Sequence, residues 1–64
     1  MKCNKEKFVK LMAENFFNNE TLAKEMGVNV ATVSKLKNGR TTPQAETLKK
    51  LCTALNCKPS DLLE

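Results

Sequence analysis

Four small or apolar residues near the middle of the chain, spaced as Ala23-x3-Gly27-x5-Val33-x2-Leu36, constrain the fold more than any other feature. Two short helices that cross steeply around a turn of three or four residues must approach closely, and Ala23 is small enough to allow this. Gly27 can end the first helix with a positive φ without strain. Val33 and Leu36 lie about one turn apart and point inward from the second helix. The spacing therefore predicts two helices that meet at a corner at Gly27.

The rest of the chain also favours helices. We predict an all-α fold, a compact bundle of five short helices in a single domain of residues 1–64, because the 64-residue length suits one small domain. No run alternates apolar and polar residues for long enough to predict a strand. The helices are expected at about 4–16, 19–26, 30–38, 43–56 and 59–63.

Helix boundaries are predicted from capping residues. Asn4, Asn18 and Asn29 are each expected to be the N-cap of one of the first three helices. Thr42 is expected to cap the fourth helix, with Pro43 in its first position, where the missing N–H costs nothing. The apolar face predicted for the first helix does not account for Phe16, and the last helix is expected to fray because it lacks a good cap.

The charge distribution favours an anionic partner. The net charge is +4, and no acidic residue lies between Gly27 and Ala45, where Lys35, Lys37 and Arg40 are found. Nucleic acid is the first expectation and a membrane surface the second. The alternative is an ordinary solvated lysine surface without a dedicated partner.

The cysteines and the absence of histidine argue against a metal site. The three cysteines, Cys3, Cys52 and Cys57, are odd in number and fit no paired zinc spacing. We expect no metal, no cofactor and no enzymatic activity, because paired catalytic carboxylates and glycine-rich phosphate loops are also missing from the sequence. Cys52 lies in an apolar stripe and is expected to be a buried structural thiol. A redox-sensing role of Cys52 or Cys57 is the alternative.

The sequence also predicts a cytoplasmic location. Its apolar runs are only a few residues long, which is too short to cross a membrane. The basic start is not followed by the apolar block of a secretory signal. We therefore expect no membrane partner.

The segment from Leu22 to Gly39 resembles the helix-turn-helix of the phage repressor and Cro-type (XRE-like) family of DNA-binding domains. The segment from Pro43 to Leu63 is similar to the fourth and fifth helices of that family, including a Leu-x2-Leu-x3-Leu stripe and an Asp-Leu-Leu ending. The resemblance extends from Phe8 to Glu64 and implies a lambda repressor-like fold. It also implies a sequence-specific transcriptional regulator, more readily a repressor, whose second motif helix enters the major groove of double-stranded DNA.

The resemblance implies two sets of contact residues. The base-facing set is Val30, Ala31, Thr32, Ser34 and Lys35, of which Thr32 could instead contact the backbone. The phosphate-contacting set is Asn19, Asn29, Lys37, Asn38, Arg40 and Thr41, of which Asn29 is first of all a helix cap.

The first recognition positions depart from the family pattern, because many relatives carry Gln, Arg or Asn where this chain has Val30 and Ala31. These two side chains cannot hydrogen-bond a base, but they can contact a thymine methyl group. We expect modest base discrimination, with T-rich half-sites and some reading of DNA shape.

The resemblance leaves the assembly and the biological role open. Relatives usually bind DNA as dimers, and Leu62 and Leu63 of the fifth helix are the expected apolar patch for a weak homodimer. An antitoxin-like regulator is a close alternative. A helical protein-interaction module with little DNA binding is a further alternative, against which the acid-free stretch argues.

Overall fold

The structure, a computed structural model, describes residues 2–64. The elements follow one another in the order α1 (Lys5–Glu14), α2 (Asn19–Met26), α3 (Val30–Lys37), α4 (Ala45–Leu55) and a 3-10 turn (Pro59–Asp61). This all-helical architecture agrees with the predicted fold class. Among residues 2–64, no helix combines the length and the apolar character needed to cross a membrane.

Asparagine side chains begin the first three helices. The Asn4 side chain accepts a hydrogen bond at 3.1 Å from an N–H in the first turn of α1. Asn18 and Thr21 form a reciprocal pair at the start of α2, each backbone N–H donating to the other side chain at 2.8 Å. Asn29 accepts from the N–H of Ala31 at 2.9 Å. The three predicted caps are thus confirmed, and each satisfies a backbone donor that would otherwise lack a partner.

The predicted start of the fourth helix is wrong. Helix α4 begins at Ala45 after Gln44, whose side chain makes no capping hydrogen bond. The Gln44 carbonyl accepts the first helical bond, from the N–H of Leu48 at 2.8 Å. Proline biases the preceding residue toward an extended backbone, but it does not fix the first residue of the helix that follows. The Thr42-Pro43 pair is therefore equally compatible with a helix that begins two residues later.

All four α-helices end with the same backbone motif, in which a residue of positive φ follows the helix. These residues are Phe16 (φ 59°), Gly27 (φ 72°), Gly39 (φ 68°) and Asn56 (φ 53°). In each case the next N–H bonds back to a helical carbonyl, from Phe17 to Met12, Val28 to Ala23, Arg40 to Lys35 and Cys57 to Cys52, at 2.8 to 3.0 Å. This is the Schellman arrangement, which satisfies carbonyls at the helix end.

The motif shortens α1 relative to the prediction. Helix α1 ends at Glu14 instead of extending to Phe16, because Phe16 already has the left-handed conformation that closes it. Glycine and asparagine adopt this conformation readily, whereas a residue such as phenylalanine is strained there by about 1 kcal/mol or more.

The corner between α2 and α3 has the predicted geometry. Gly27 follows α2 with a left-handed backbone, and Ala23 is only 2% exposed on the inner side of the crossing. Val33 and Leu36 of α3 are also buried. They belong to one hydrophobic core that comprises Cys3, Phe8, Met12, Leu22, Ala23, Met26, Val33, Leu36, Leu51, Leu55 and Leu62.

The predicted fifth helix at 59–63 is not confirmed, because only a 3-10 turn forms there, over Pro59–Asp61. The chain beyond the turn pairs with the other end of the chain. The N–H of Asn4 donates to the Leu62 carbonyl at 2.9 Å, and the N–H of Glu64 donates to the Lys2 carbonyl at 3.0 Å. Cys3 and Leu63 thereby form an isolated antiparallel bridge, and backbone groups used in this way cannot continue a helix.

This pairing also overturns the predicted dimer patch. Leu62 is 0% exposed and Leu63 is half-buried against the core. Leu62, which is fully buried within its own domain, cannot supply an apolar surface to a second copy, and Leu63 has only part of its side chain exposed. A homodimer through Leu62 and Leu63 is therefore unsupported, and the expected fraying of this end is replaced by two backbone hydrogen bonds to the N-terminal segment.

Candidate nucleic-acid interface

The outward face of α3 is formed by side chains that sequence analysis assigned to base contact. Val33 and Leu36 turn one side of the helix to the core. With 3.6 residues per turn, Ala31 and Lys35 lie on the opposite side, and both are exposed. Val30, which is 41% exposed, and the half-buried Ser34 lie beside them. The result is a continuous surface of small, apolar and basic side chains on one short helix.

Thr32 lies apart from this surface. Its position on the helix falls between the outward face and the core side, and it is half-buried. Its backbone N–H donates to the Asn29 carbonyl at 3.0 Å, in the first turn of α3. Of the five predicted base-facing residues, the helix thus brings four together and leaves Thr32 at the margin.

The N-terminal end of α3 differs electrostatically from those of the other helices. The first turns of α1, α2 and α4 contain an acidic residue, respectively Glu6, Glu20 and Glu46. The first turn of α3 contains none, while Lys35 and Lys37 lie in its last turn. A helix N-terminus carries a partial positive charge that nearby carboxylates neutralise. No carboxylate in the first turn of α3 itself therefore neutralises this partial charge.

Two predicted phosphate-contacting residues are hydrogen-bonded to each other, which the sequence did not predict. The ammonium group (Nζ) of Lys37 donates to Oδ1 of Asn19 at 3.1 Å, which joins the last turn of α3 to the first turn of α2. Lys37 and Asn19 are both half-buried. The hydrogen bond places a cation beside the first turn of α2, which also contains Glu20. Local sequence patterns could not predict this contact, because eighteen positions separate the two residues.

Two other predicted phosphate-contacting side chains form hydrogen bonds with the backbone at the two ends of α3. Asn29 Oδ1 accepts the capping bond of α3. Asn38 Nδ2 donates to the Ser34 carbonyl at 2.9 Å, one turn back along the helix. Arg40 and Thr41 follow the Gly39 corner and are exposed. The structure therefore places Arg40 and Thr41 on the surface after α3, and gives Asn29 and Asn38 a structural role as well.

A shallow groove adjoins the start of α3 and contains residues that sequence analysis did not single out. Its lining includes Glu20 and Lys24 of α2 together with Val28 and Val30. Helix α2 thus contributes charged side chains of both signs beside the outward face of α3. No sequence motif marks Glu20 or Lys24, because their proximity to Val30 follows from the crossing of the two helices.

Comparison with known proteins agrees with this geometry. The family described as the Cro/C1-type HTH DNA-binding domain matches residues 7–64, which include all four α-helices except the first two residues of α1. The chain belongs to this family. The resemblance inferred from the sequence is thereby confirmed.

One curated relative is similar over part of the chain. It is an uncharacterised HTH-type transcriptional regulator, YozG, of Bacillus subtilis (strain 168), with 41% identity over 44 residues. The alignment covers 67% of this chain and 52% of that protein, so the chain spans about half the length of this relative. No solved structure matches the chain.

The cysteines of this Cro/C1-type domain lie outside α3, and the thiols of Cys3 and Cys57 have raised pKa values. Cys3 is buried, whereas Cys52 and Cys57 are half-buried, so the prediction of full burial for Cys52 is wrong. Burial raises the pKa of the Cys3 thiol. Burial, followed by the neighbouring Cys52, raises the pKa of Cys57 to about 11.

The raised pKa values bear on the redox alternative. Redox-sensing cysteines usually have a lowered pKa, because the thiolate is the reactive form. A thiol with a pKa of about 11 is almost entirely protonated near neutral pH, which disfavours sensing at Cys57. Within residues 2–64, no group of three or more His, Cys, Asp or Glu side chains is arranged to hold a metal ion.

Proposed function

We propose that this Cro/C1-type domain is a sequence-specific DNA-binding transcriptional regulator that reads the major groove with the outward face of α3. The family assignment supports DNA binding, and the exposed surface of Val30, Ala31, Ser34 and Lys35 supports α3 as the reading element. Repression is the simplest mode of action, because it requires only that the protein occupy a promoter.

The proposed contacts divide into two groups with different roles. Val30, Ala31, Ser34 and Lys35 face the base edges, and Thr32 contacts the margin of the groove. The phosphate contacts come from both ends of the motif and comprise Asn19, Asn29, Lys37, Asn38, Arg40 and Thr41. The observation that carries this proposal is the acid-free, exposed face of α3 beside the Lys37–Asn19 pair. Phosphate contacts orient a protein on the duplex, whereas base contacts provide its specificity.

The binding site is best identified by selection from random duplex DNA, which would define the half-site and its spacing. A selected site should contain thymines opposite Val30 and Ala31, since these side chains offer only apolar contact. Conserved guanines opposite both residues would contradict this assignment.

Replacing a contacted thymine by deoxyuridine should weaken binding, because uracil lacks the C5-methyl group and is otherwise identical in the major groove. The loss should be roughly fourfold per methyl group, corresponding to about 0.8 kcal/mol of apolar burial. Fluorescence anisotropy on a labelled duplex measures the effect. Deoxyuridine at a thymine outside the selected half-site is the matched control, and equal losses at both positions would exclude methyl reading.

Two single-charge deletions should separate base contact from phosphate contact. Lys35→Ala should relax the preference at one base pair and cost about 1–3 kcal/mol on the selected site. Arg40→Ala should weaken selected and unrelated duplexes alike and reduce the slope of log K against log salt by about 0.9. The measurement is a salt titration of each variant on both duplexes. If the two variants behave identically, Lys35 is a phosphate contact and the assignment of roles is wrong.

A further inference from the structure

Phe16 is conformationally strained and almost fully exposed. Its side chain is 94% exposed, and its backbone has the left-handed conformation that closes α1. The corresponding positions after α2, α3 and α4 are Gly27, Gly39 and Asn56, all residue types that adopt this conformation readily. The aromatic ring of Phe16 gains almost no burial in return. A strained residue that contributes little to its own fold points to a role in contact with another molecule.

A surface groove of about 780 Å³ begins directly beside this residue. Asn15 and Phe17, the two sequence neighbours of Phe16, both line it. Phe16 does not occupy the groove of its own chain, because its ring is turned out into solvent. The groove extends along the outer side of α4, where Thr53 and Ala54 form part of its lining. An aromatic anchor and an unfilled groove thus lie side by side on one surface.

Hydrogen bonds hold the anchor and the groove in a fixed relation. The Asn15 side-chain amide (Nδ2) donates to the Leu11 carbonyl at 2.8 Å and to the Leu55 carbonyl at 2.9 Å. Asn56 Nδ2 in turn donates to Asn15 Oδ1 at 3.0 Å. These bonds join the end of α1 to the end of α4, immediately before Phe16. A contact surface that is already rigid loses less entropy on association.

The charges that line the groove are balanced. Two carboxylates, Glu25 and Glu46, share it with two ammonium groups, Lys49 and Lys50. A polyanion such as DNA would be repelled by both carboxylates. A strongly basic protein would be repelled by the two ammonium groups, and a strongly acidic protein by the two carboxylates. A second copy related by a two-fold axis brings the same balanced set, so each carboxylate can face an ammonium group of the other copy.

We propose that this surface is a homodimer interface, in which Phe16 of each copy enters the groove beside Phe16 of the other. A two-fold contact requires a self-complementary surface, and an anchor that adjoins its own receptor groove meets this requirement. The dimer does not depend on DNA binding, and it replaces the interface that Leu62 was expected to form.

The dimer is weak because the available surface is small. A standard interface of about 800 Å² per partner would cover about a fifth of the 4278 Å² surface of this chain. The contact between the end of α1 and one side of α4 is more restricted than this. The protein is therefore monomeric in dilute solution and dimerises as its concentration rises.

Sedimentation equilibrium over a concentration series tests the anchor. Phe16→Asn removes the ring and keeps a residue type that adopts the left-handed conformation, as Asn56 does after α4. It should raise the dimer dissociation constant by about tenfold or more per anchor, while the melting temperature stays equal to or above that of the wild type. Val9→Ala is the matched control, since Val9 is another exposed apolar residue, 45% exposed, and does not line this groove. The control should dimerise like the wild type.

A mixing experiment tests the groove independently of the anchor. Thr53→Arg places a long cationic side chain at an exposed position that lines the groove, and it should abolish dimerisation with Phe16 still present. A mixture of Thr53→Arg and Phe16→Asn should associate more strongly than either variant alone. In the mixed dimer one intact anchor can enter one intact groove, which neither homodimer permits.

Three results would overturn the proposal. The first is a wild-type protein that stays monomeric at the highest attainable concentration, and the second is a Phe16→Asn variant that dimerises as the wild type does. The third is a mixture that associates no more than its components. If the Phe16→Asn variant of the second result also loses affinity for a single half-site duplex, Phe16 is a DNA contact. DNA binding by the wild type is measured separately, so failure of the proposed function is distinguishable from failure of this interface.

Discussion

Ala31→Glu should abolish specific DNA binding while the domain stays folded. Ala31 is exposed on the side of α3 opposite the core, so a larger polar side chain costs little in the free protein. In the complex, the added carboxylate would lie against base edges and between two phosphate backbones. Repulsion between like charges at an interface costs several kcal/mol, so the affinity should fall by about a hundredfold or more. Fluorescence anisotropy on the selected duplex measures the loss.

The control for this variant is Ser60→Glu, which makes the same change in net charge at an exposed position of the 3-10 turn. It should alter the affinity only slightly, because Ser60 lies outside the proposed contact residues and an exposed surface charge is screened by salt. Circular dichroism should show wild-type helicity for both variants. If Ala31→Glu binds the duplex as well as Ser60→Glu does, α3 is not the element that enters the groove.

Leu36→Ala should unfold much of the population and thereby remove DNA binding as well. Leu36 is 1% exposed and lies in the core, where α3 packs beneath its outward face. Truncating a buried leucine to alanine removes apolar burial and leaves a cavity, at a cost of about 2–5 kcal/mol. A domain of this size has a free energy of unfolding of only a few kcal/mol, so the substitution removes most of its stability. Thermal unfolding followed by circular dichroism provides the measurement.

Leu48→Ala is the matched control, because it is the same substitution at a half-buried position of α4. Its melting temperature should fall by less than that of Leu36→Ala, since less apolar area and a smaller cavity are involved. An equal loss of stability in the two variants would mean that Leu36 is not a central residue of this core.

These two substitutions address the two sides of one short helix. Ala31 and Leu36 are five residues apart on α3, yet one faces solvent and the other the core. The helix period assigns them to opposite sides. The inner side sets the position of α3, and that position keeps the outer side accessible to a partner.

Local sequence signals predicted much of the helix-turn-helix. A glycine at a position that requires positive φ, as at Gly27, and asparagines at N-caps, as at Asn18 and Asn29, act within a few residues of their own place in the chain. The apolar spacing of Val33 and Leu36 is likewise local. These features are properties of short segments, and the structure confirms each of them.

Predictions from short segments were wrong where a segment packs or pairs with a distant part of the chain. The segment 59–63 was predicted to be a helix, but Leu62 lies in the core, Leu63 is half-buried against it, and both pair with the N-terminal segment. The start of α4 was also misplaced, because a Thr-Pro pair does not define which later residue accepts the first helical bond.

The candidate interface likewise has features that the sequence predicted and features that only the structure revealed. The outward residues of α3 follow from helical periodicity once the inward residues are known, and the acid-free stretch is visible in the printed sequence. The sequence does not show the Lys37–Asn19 hydrogen bond or the groove shared by Lys24 and Val30, because each of these features joins two helices. The assignment of Lys37 and Asn19 to phosphate contact stays a prediction.

Short-range information in the chain was thus sufficient for the presence of the four α-helices, the N-caps of the first three, the corner at Gly27 and the family. The three-dimensional packing decided the course of the C-terminal segment, the burial of Leu62, and the exposure of Phe16 beside an open groove. The physical reason is that capping and periodicity depend on neighbours within about one or two helical turns. Burial and pairing between remote segments depend instead on how the whole chain closes around its core.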